Sequence, residues 1–235
     1  HHKLGDLIWQ LPYIKAISEH HKIHVDLIVR EKTQAKEILK DIKHLNEINY
    51  NNFRKGFFYW IDVIKLKRII SDNKYTHVYI LDKINKPAIA ARLSNVKNII
   101  GPGIKRQKKW LTTNIVLEDK DWELSFSEQS QKLLNLHNIK IGEIYPNIEI
   151  SSLRLKQLKK NIPHSGKKIA FGVDSFEEYK IWYEENFIEL AEKLHDRGLF
   201  NYIYLICGKD KQHFAKKIIN KSNKDYFIDC SDLQL

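Results

Sequence analysis

At 235 residues, with 43% hydrophobic and 29% charged side chains, the chain has the length and composition for one large domain or two modest ones, each with its own core. No apolar run approaches the roughly 18 residues needed to cross a bilayer, and no cleavable signal peptide is evident. Cys207 and Cys230 stand far apart in no metal-like spacing, which points to a reducing, cytoplasmic setting rather than a disulfide scaffold.

The elements follow in chain order. Leu4-Gly5-Asp6 leads into a segment in which Leu7, Leu11, Ile14 and Ile17 fall at helical intervals, so one helix is expected there. Gly5 suits a close backbone approach and Asp6 a helix N-cap. Residues 23–29 alternate as a strand, 32–41 read as a short helix and 45–50 as a weak strand. Residues 57–72 read as a helix carrying Phe58, Ile61, Ile64 and Ile69. Strands at 76–81 and 96–100 flank a helix over 87–93, and Gly101-Pro102-Gly103 closes the second. Lys105 to Trp110 is a basic loop, 121–137 a helix, and 138–167, with Gly142, Pro146, Pro163 and Gly166, a linker.

A second unit follows. It has strands at 168–172, 202–206 and 226–229, and helices at 184–197 and 211–220, the first of them ended by Gly198. The 202–206 strand is almost wholly apolar, as when both faces are covered. Strands separated by helices of this length imply right-handed crossovers and a mostly parallel sheet. Residues 1–150 and 151–235 are thus two Rossmann-like domains. The chain holds no methionine. Either it is an internal piece of a longer protein or modified methionines are left out of it.

Few motifs announce chemistry. The histidines, His20-His21 among them, have no metal-ligand spacing and read as solvated surface; His1-His2 has the look of a tag remnant. Neither a GxGxxG nor a phosphate-binding P-loop is present. Two loops stand out. Residues 173–182 follow a parallel strand, where open α/β sheets bind ligands, and Ser175 and Lys180 could hold a diphosphate there. Lys105, Arg106, Lys108 and Lys109 fit either an anionic ligand or a solvated charge run.

The ordered series of segments resembles a known family. Gly5-Asp6 with Leu11-Pro12 is similar to the opening of heptosyltransferases, the glycosyltransferase family 9 enzymes of lipopolysaccharide core assembly. The likeness continues through Thr76–Leu81, Ala90-Ala91-Arg92-Leu93 and Ile99-Ile100-Gly101, then Lys180-Ile181-Trp182, Phe187, Glu189-Leu190, Leu205-Ile206-Cys207-Gly208 and Asp229. It implies a GT-B fold, two Rossmann-like domains facing across a cleft, with the second domain cut short. The first would bind the acceptor and the second the nucleotide sugar.

The resemblance also implies an inverting, metal-independent transfer of heptose from an ADP-activated donor, with no cofactor. Asp6 is the implied general base, beside Gly5. Ser175 and Lys180 would stabilise the leaving diphosphate, and Gly208 would admit the nucleoside. Asp210 and Gln212 are the candidates for the ribose. The acids Asp174, Glu177 and Glu178 would repel a diphosphate unless turned away.

Lys105, Arg106, Lys108 and Lys109 would meet an anionic glycolipid or glycan acceptor. They could also rest on anionic lipid at the inner face of the inner membrane. The family's opening strand would precede His1 and its later nucleotide loop would follow Leu235. A non-catalytic nucleotide- or glycan-binding protein on the same scaffold is the competing reading. Nucleic acid is not an expected partner, because no aromatic residues interleave the basic runs.

Overall fold

The computed structural model describes residues 4–162, 165–175 and 177–231, with the side chains of Asn161 and Glu178 excepted. His1, His2, Pro163, Phe176 and Leu235, on which the sequence reading drew, lie outside the described residues. The chain divides into two units, residues 1–150 and 151–235.

The first unit opens with a correction. Instead of one helix, the chain forms α1 (Leu4–Ile8) and α2 (Leu11–His21). Pro12 is the reason. Within one continuous helix its ring would clash with the Ile8 carbonyl and its missing N–H would break the ladder, whereas the first turn of a new helix tolerates it. Asp6 is accordingly not an N-cap, because it sits inside the first turn of α1. Leu7, Leu11 and Ile14 still point one way, into a core with Val29, Ala35, Ile38 and Leu39.

β1 (Val25–Val29) and β2 (Leu45–Tyr50) pair in parallel, so the weak strand at 45–50 is a full one. Between them the expected helix shrinks to a 3₁₀ turn at Glu31–Thr33 and the four-residue α3 (Ala35–Ile38). α4 (Tyr59–Asp72) forms where expected but buries another face. Asp62, Val63, Leu66 and Ile70 point inward, while Phe58, Ile61 and Ile64 are exposed.

β3 (His77–Tyr79), α5 (Lys86–Leu93) and β4 (Asn98–Ile100) complete a second parallel pair. Val63, Leu66 and Ile70 of α4 share a core with Ala88, Ala90, Ala91 and Ile99, and the small residues of α5 let the two helices approach closely. Among the described residues of this unit the strands pair as β1-β2 and β3-β4, both parallel. β1, β3 and α2 line an apolar cavity of about 310 Å³ between them.

His21 is half-buried, not a solvated surface group. Its Nε2 lies 2.8 Å from the Tyr79 hydroxyl. Burial, helped by the neighbouring His77 and His20, pushes its pKa down. The helix expected over 121–137 is divided into a 3₁₀ turn at Asp119–Glu123 and α6 (Phe126–Leu136). Ser125 divides them with a capping box: its Oγ accepts from the Glu128 N–H at 3.3 Å, and Glu128 Oε2 accepts from the Ser125 N–H at 2.8 Å.

The stretch read as linker contains α7 (Ser152–Asn161), capped by Ser151 and running without proline or glycine. Its Leu153, Leu155 and Leu158 are exposed. Beyond it, β5 (Lys168–Gly172), α8 (Glu184–His195), β6 (Tyr202–Ile206), α9 (Gln212–Ser222) and β7 (Phe227–Asp229) alternate as expected. The three strands form a parallel sheet in the order β5-β6-β7. β6 is central, and Ile203, Tyr204 and Leu205 are all buried, which is why that strand is apolar throughout. Gly198, at φ +62°, stops the chain behind α8 in a conformation that other side chains resist.

Candidate active site

Parallel α/β sheets present ligand sites at the carboxyl ends of their strands. In the first unit four segments reach that edge. Arg30 follows β1, Asn51 to Arg54 follow β2, Asp82 follows β3, and Gly101 to Trp110 follow β4. α1 packs against the Glu31–Thr33 turn behind β1, so Gly5 and Asp6 lie at this edge, both exposed. A Cβ at Gly5 would meet nothing within 4 Å, so a close approach within the protein is not what calls for glycine there.

The basic loop is a 3₁₀ turn, Lys105–Trp110, and its order has a visible source. Gln107, fully buried, accepts from the Gly103 N–H at 2.8 Å and donates to the Asp82 and Ile84 carbonyls at 3.1 and 2.8 Å. With its amide satisfied, Gln107 pins the turn and leaves Lys105, Arg106, Lys108 and Lys109 exposed around it. These four cations and Asp6 belong to the ends of different strands, β4 and β1.

A charged cluster that the sequence did not reveal gathers around Arg54, which follows β2. Asp62, on α4 and only 2% exposed, accepts from Arg54 Nε and Nη2 at 3.2 and 2.8 Å and from Lys86 Nζ at 3.1 Å. Lys86 is itself buried and also donates to the Arg54 carbonyl. Asn51 donates to the Asp62 carbonyl at 3.0 Å. Burial would raise the Asp62 carboxyl, but the hydrogen bonds from Arg54 and Lys86 outweigh it and hold the pKa below the usual range. One hint was available: Asp62 stands one residue before Val63 on the face that α4 buries.

In the second unit the strand ends carry carboxylates. Asp174 follows β5 and accepts from the Gly208 N–H at 2.9 Å, joining the ends of β5 and β6. A Cβ on Gly208 would come within 2.7 Å of Asp210 Oδ1 and 3.6 Å of Asp174 Oδ2. Glycine therefore keeps these two acids close to the backbone. Gln212 donates to Asp229 Oδ2 at 3.1 Å, and Asp229 Oδ1 accepts from the Ser231 N–H at 2.9 Å. Burial works against the Asp229 carboxylate, yet these bonds and Lys216 hold its pKa down. Burial, together with Asp174, Asp229 and Asp210, pushes the Cys207 thiol up, which leaves it a poor nucleophile.

The structure thus brings Gly208 and Asp210 together and ties Gln212 to Asp229 instead. Ser175 and Lys180 lie in the loop after β5. Ser175 Oγ accepts from the Glu177 N–H at 3.3 Å. Lys180 forms an ion pair with Glu177 and stands 5.4 Å from the Tyr179 ring centre. The pairing raises the Lys180 pKa, so the ammonium is secure at neutral pH. Of the acids expected to repel a diphosphate, Asp174 is engaged by Gly208 and Glu177 by Lys180. Asp174 and Asp229 are the residues that sequence reasoning left out of the site. Both fall at or just past a strand end, which is the signal that could have found them. Among the described residues no group of three or more His, Cys, Asp or Glu is arranged to hold a metal ion, and no helix is long and apolar enough to cross a membrane.

No curated protein matches the sequence. Among solved structures the chain is similar to E. coli ADP-heptose lps heptosyltransferase II, with a TM-score of 0.75 and 15% identity over 98% of this chain and 71% of that one. It is similar to the glycosyl transferase family 9 protein from Veillonella parvula, with a TM-score of 0.72 and 14% identity over 98% of this chain and 68% of that one. E. coli heptosyltransferase WaaC with ADP-2-deoxy-2-fluoro heptose gives a TM-score of 0.71 at 16% identity, over 99% of this chain and 74% of that one. At such identities the likeness is one of fold, the α/β GT-B class with Rossmann-like units. The family model for glycosyltransferase family 9 (heptosyltransferase) matches residues 63–235, and the chain therefore belongs to that family of glycosyltransferases.

Proposed function

We propose that this protein is an inverting, metal-independent transferase. It moves a heptose from ADP-heptose to a lipopolysaccharide core or related glycan, at the inner face of the inner membrane. The observation that carries the donor half is the cluster at the ends of β5, β6 and β7, where Gly208 is held between Asp174 and Asp210 with Lys180 in the preceding loop. Solved relatives include E. coli heptosyltransferase WaaC with ADP and with a fluorinated ADP-heptose, which supports an adenine nucleotide here.

The chemistry follows from charge. Asp210 suits ribose hydroxyls, because an ionised carboxylate only accepts. The diphosphate goes to Ser175 and to Lys180, whose ammonium exchanges Glu177 for a phosphate oxygen. Asp6 takes the proton from the acceptor hydroxyl as that oxygen attacks the anomeric carbon from the face opposite the departing ADP. The carbon gains oxocarbenium character before the new bond is complete, so a carboxylate is a strong enough base for the step. As ADP leaves, Lys180 and Ser175 neutralise the charge it gathers. Lys105, Arg106, Lys108 and Lys109, exposed beyond β4, suit an acceptor bearing phosphate or acidic sugars.

Calorimetric titration with ADP, GDP and UDP in metal-free buffer tests the donor assignment. Selective binding of ADP, weakened in Lys180→Ala, is the expected result. A preference for GDP or UDP keeps the transferase and changes its sugar, and binding of none of the three removes the assignment.

A further inference from the structure

One surface of the first unit takes no part in the site. Phe57, Phe58, Trp60, Ile61 and Ile64 all lie exposed within eight residues, Phe57 to 86% and Ile64 to 64%. They sit on the 3₁₀ turn at Gly56–Phe58 and the first half of α4, opposite the face that packs on α5. Surface patches of this kind usually mark a contact.

The exposed charges next to the patch along the chain are cations. Lys55, Lys65, Lys67 and Arg68 border it, all exposed. Between Asn52 and Ser71 the only acid is Asp62, and it is turned inward onto Arg54 and Lys86. The outward face of the first half of α4 thus offers aromatic and branched aliphatic groups bordered by cations, and the exposed acid of the helix, Asp72, stands in its last turn beyond Arg68. Such a face does not suit a neutral or basic protein surface. It matches an anionic bilayer surface, where rings enter the headgroup region and lysine stems reach back to the phosphates.

We infer that the first half of α4 and the preceding turn dock this protein on an anionic lipid bilayer through Phe57, Trp60 and Ile64, with Lys65, Lys67 and Arg68 on the headgroups. The inference deepens the membrane part of the proposed function and rests on that part alone, not on the donor or the catalytic base.

Co-sedimentation of the protein with vesicles of phosphatidylglycerol and phosphatidylcholine, against phosphatidylcholine alone, tests it without any nucleotide present. The expected result is binding to the anionic vesicles that weakens with salt. The triple variant Phe57→Ser, Trp60→Ser, Ile64→Ser should bind at least tenfold less. Each of Lys65→Gln, Lys67→Gln and Arg68→Gln should cost about fivefold, the equivalent of about 1 kcal/mol per cation at a charged membrane surface. Circular dichroism of the triple variant should match the parent, because the replaced side chains are exposed.

Several results would overturn the inference. They are no binding to anionic vesicles, equal binding to neutral ones, unchanged binding by the triple variant, or a concentration-dependent dimer that the triple variant abolishes. The last would mean that a second copy covers this face. Sugar transfer to a soluble acceptor that persists while vesicle binding fails would remove this inference and leave the proposed reaction standing.

Discussion

Both units bring charged groups to the carboxyl ends of parallel strands, yet they use them in opposite ways. In the first, Asp62, Arg54 and Lys86 close on one another, with the acid and the lysine both buried. In the second, Lys180 and Glu177 pair in the open, and Asp174 and Asp210 crowd around an exposed Gly208. A buried ion cluster is committed to the fold, because separating its members would strand a charge away from water. An exposed pair gives up little when a ligand replaces one partner. The difference separates the charges that build the scaffold from those open to a substrate.

The sharpest way to test that division is to remove one aspartate of each kind from the first unit. Asp6→Ala is expected to cut sugar transfer by roughly 10²–10⁴-fold, the usual worth of a general base. The melting temperature should stay unchanged, because Asp6 is exposed. Transfer at the parent rate would refute its role. Asp62→Ala should do the reverse. Leaving Lys86 buried without its acid should cost about 3–5 kcal/mol in chemical denaturation. A loss below about 1 kcal/mol would mean the cluster is not holding the fold.

Acid should have a related effect. The Asp62 pKa is depressed in the folded protein, so its contribution is complete above the ordinary carboxylate pKa of about 4. That contribution should fade as pH falls through the lower folded value, and the pH dependence of unfolding should flatten there in the Asp62→Ala variant. The exposed pair gives a smaller effect. Lys180→Ala should weaken ADP more than tenfold in calorimetry, as expected for a charge-assisted hydrogen bond, with stability unmoved. Glu177→Gln, which frees Lys180 from its partner, should tighten ADP if the pairing competes with the ligand. The smallest expected change is Ser125→Ala. Loss of the α6 cap should cost about 1 kcal/mol of stability with transfer intact, setting the scale for a purely local structural effect.

Periodicity carried much of the fold. The alternation of β5, α8, β6, α9 and β7 was legible because strand and helix periods are local properties, and an all-apolar strand such as β6 has few alternatives to a central position. The loop holding Ser175 and Lys180, and the Gly208 turn, were legible for the same reason: they fall where strands end.

Burial, in contrast, is set by what packs alongside. Phe58, Ile61 and Ile64 have helical spacing and so does the row of Val63, Leu66 and Ile70, and only the second meets α5. Asp62 looked like any acid on a helix until Arg54 and Lys86, from separate segments, closed on it. The break between α1 and α2 was written in Pro12, but hydrophobic spacing continued across it and concealed it. Residue order settles which segments coil and which extend, through short-range sterics and hydrogen bonding. Which face is hidden and which charge meets which partner depend on contacts between segments far apart along the chain, and these form only when the whole unit packs.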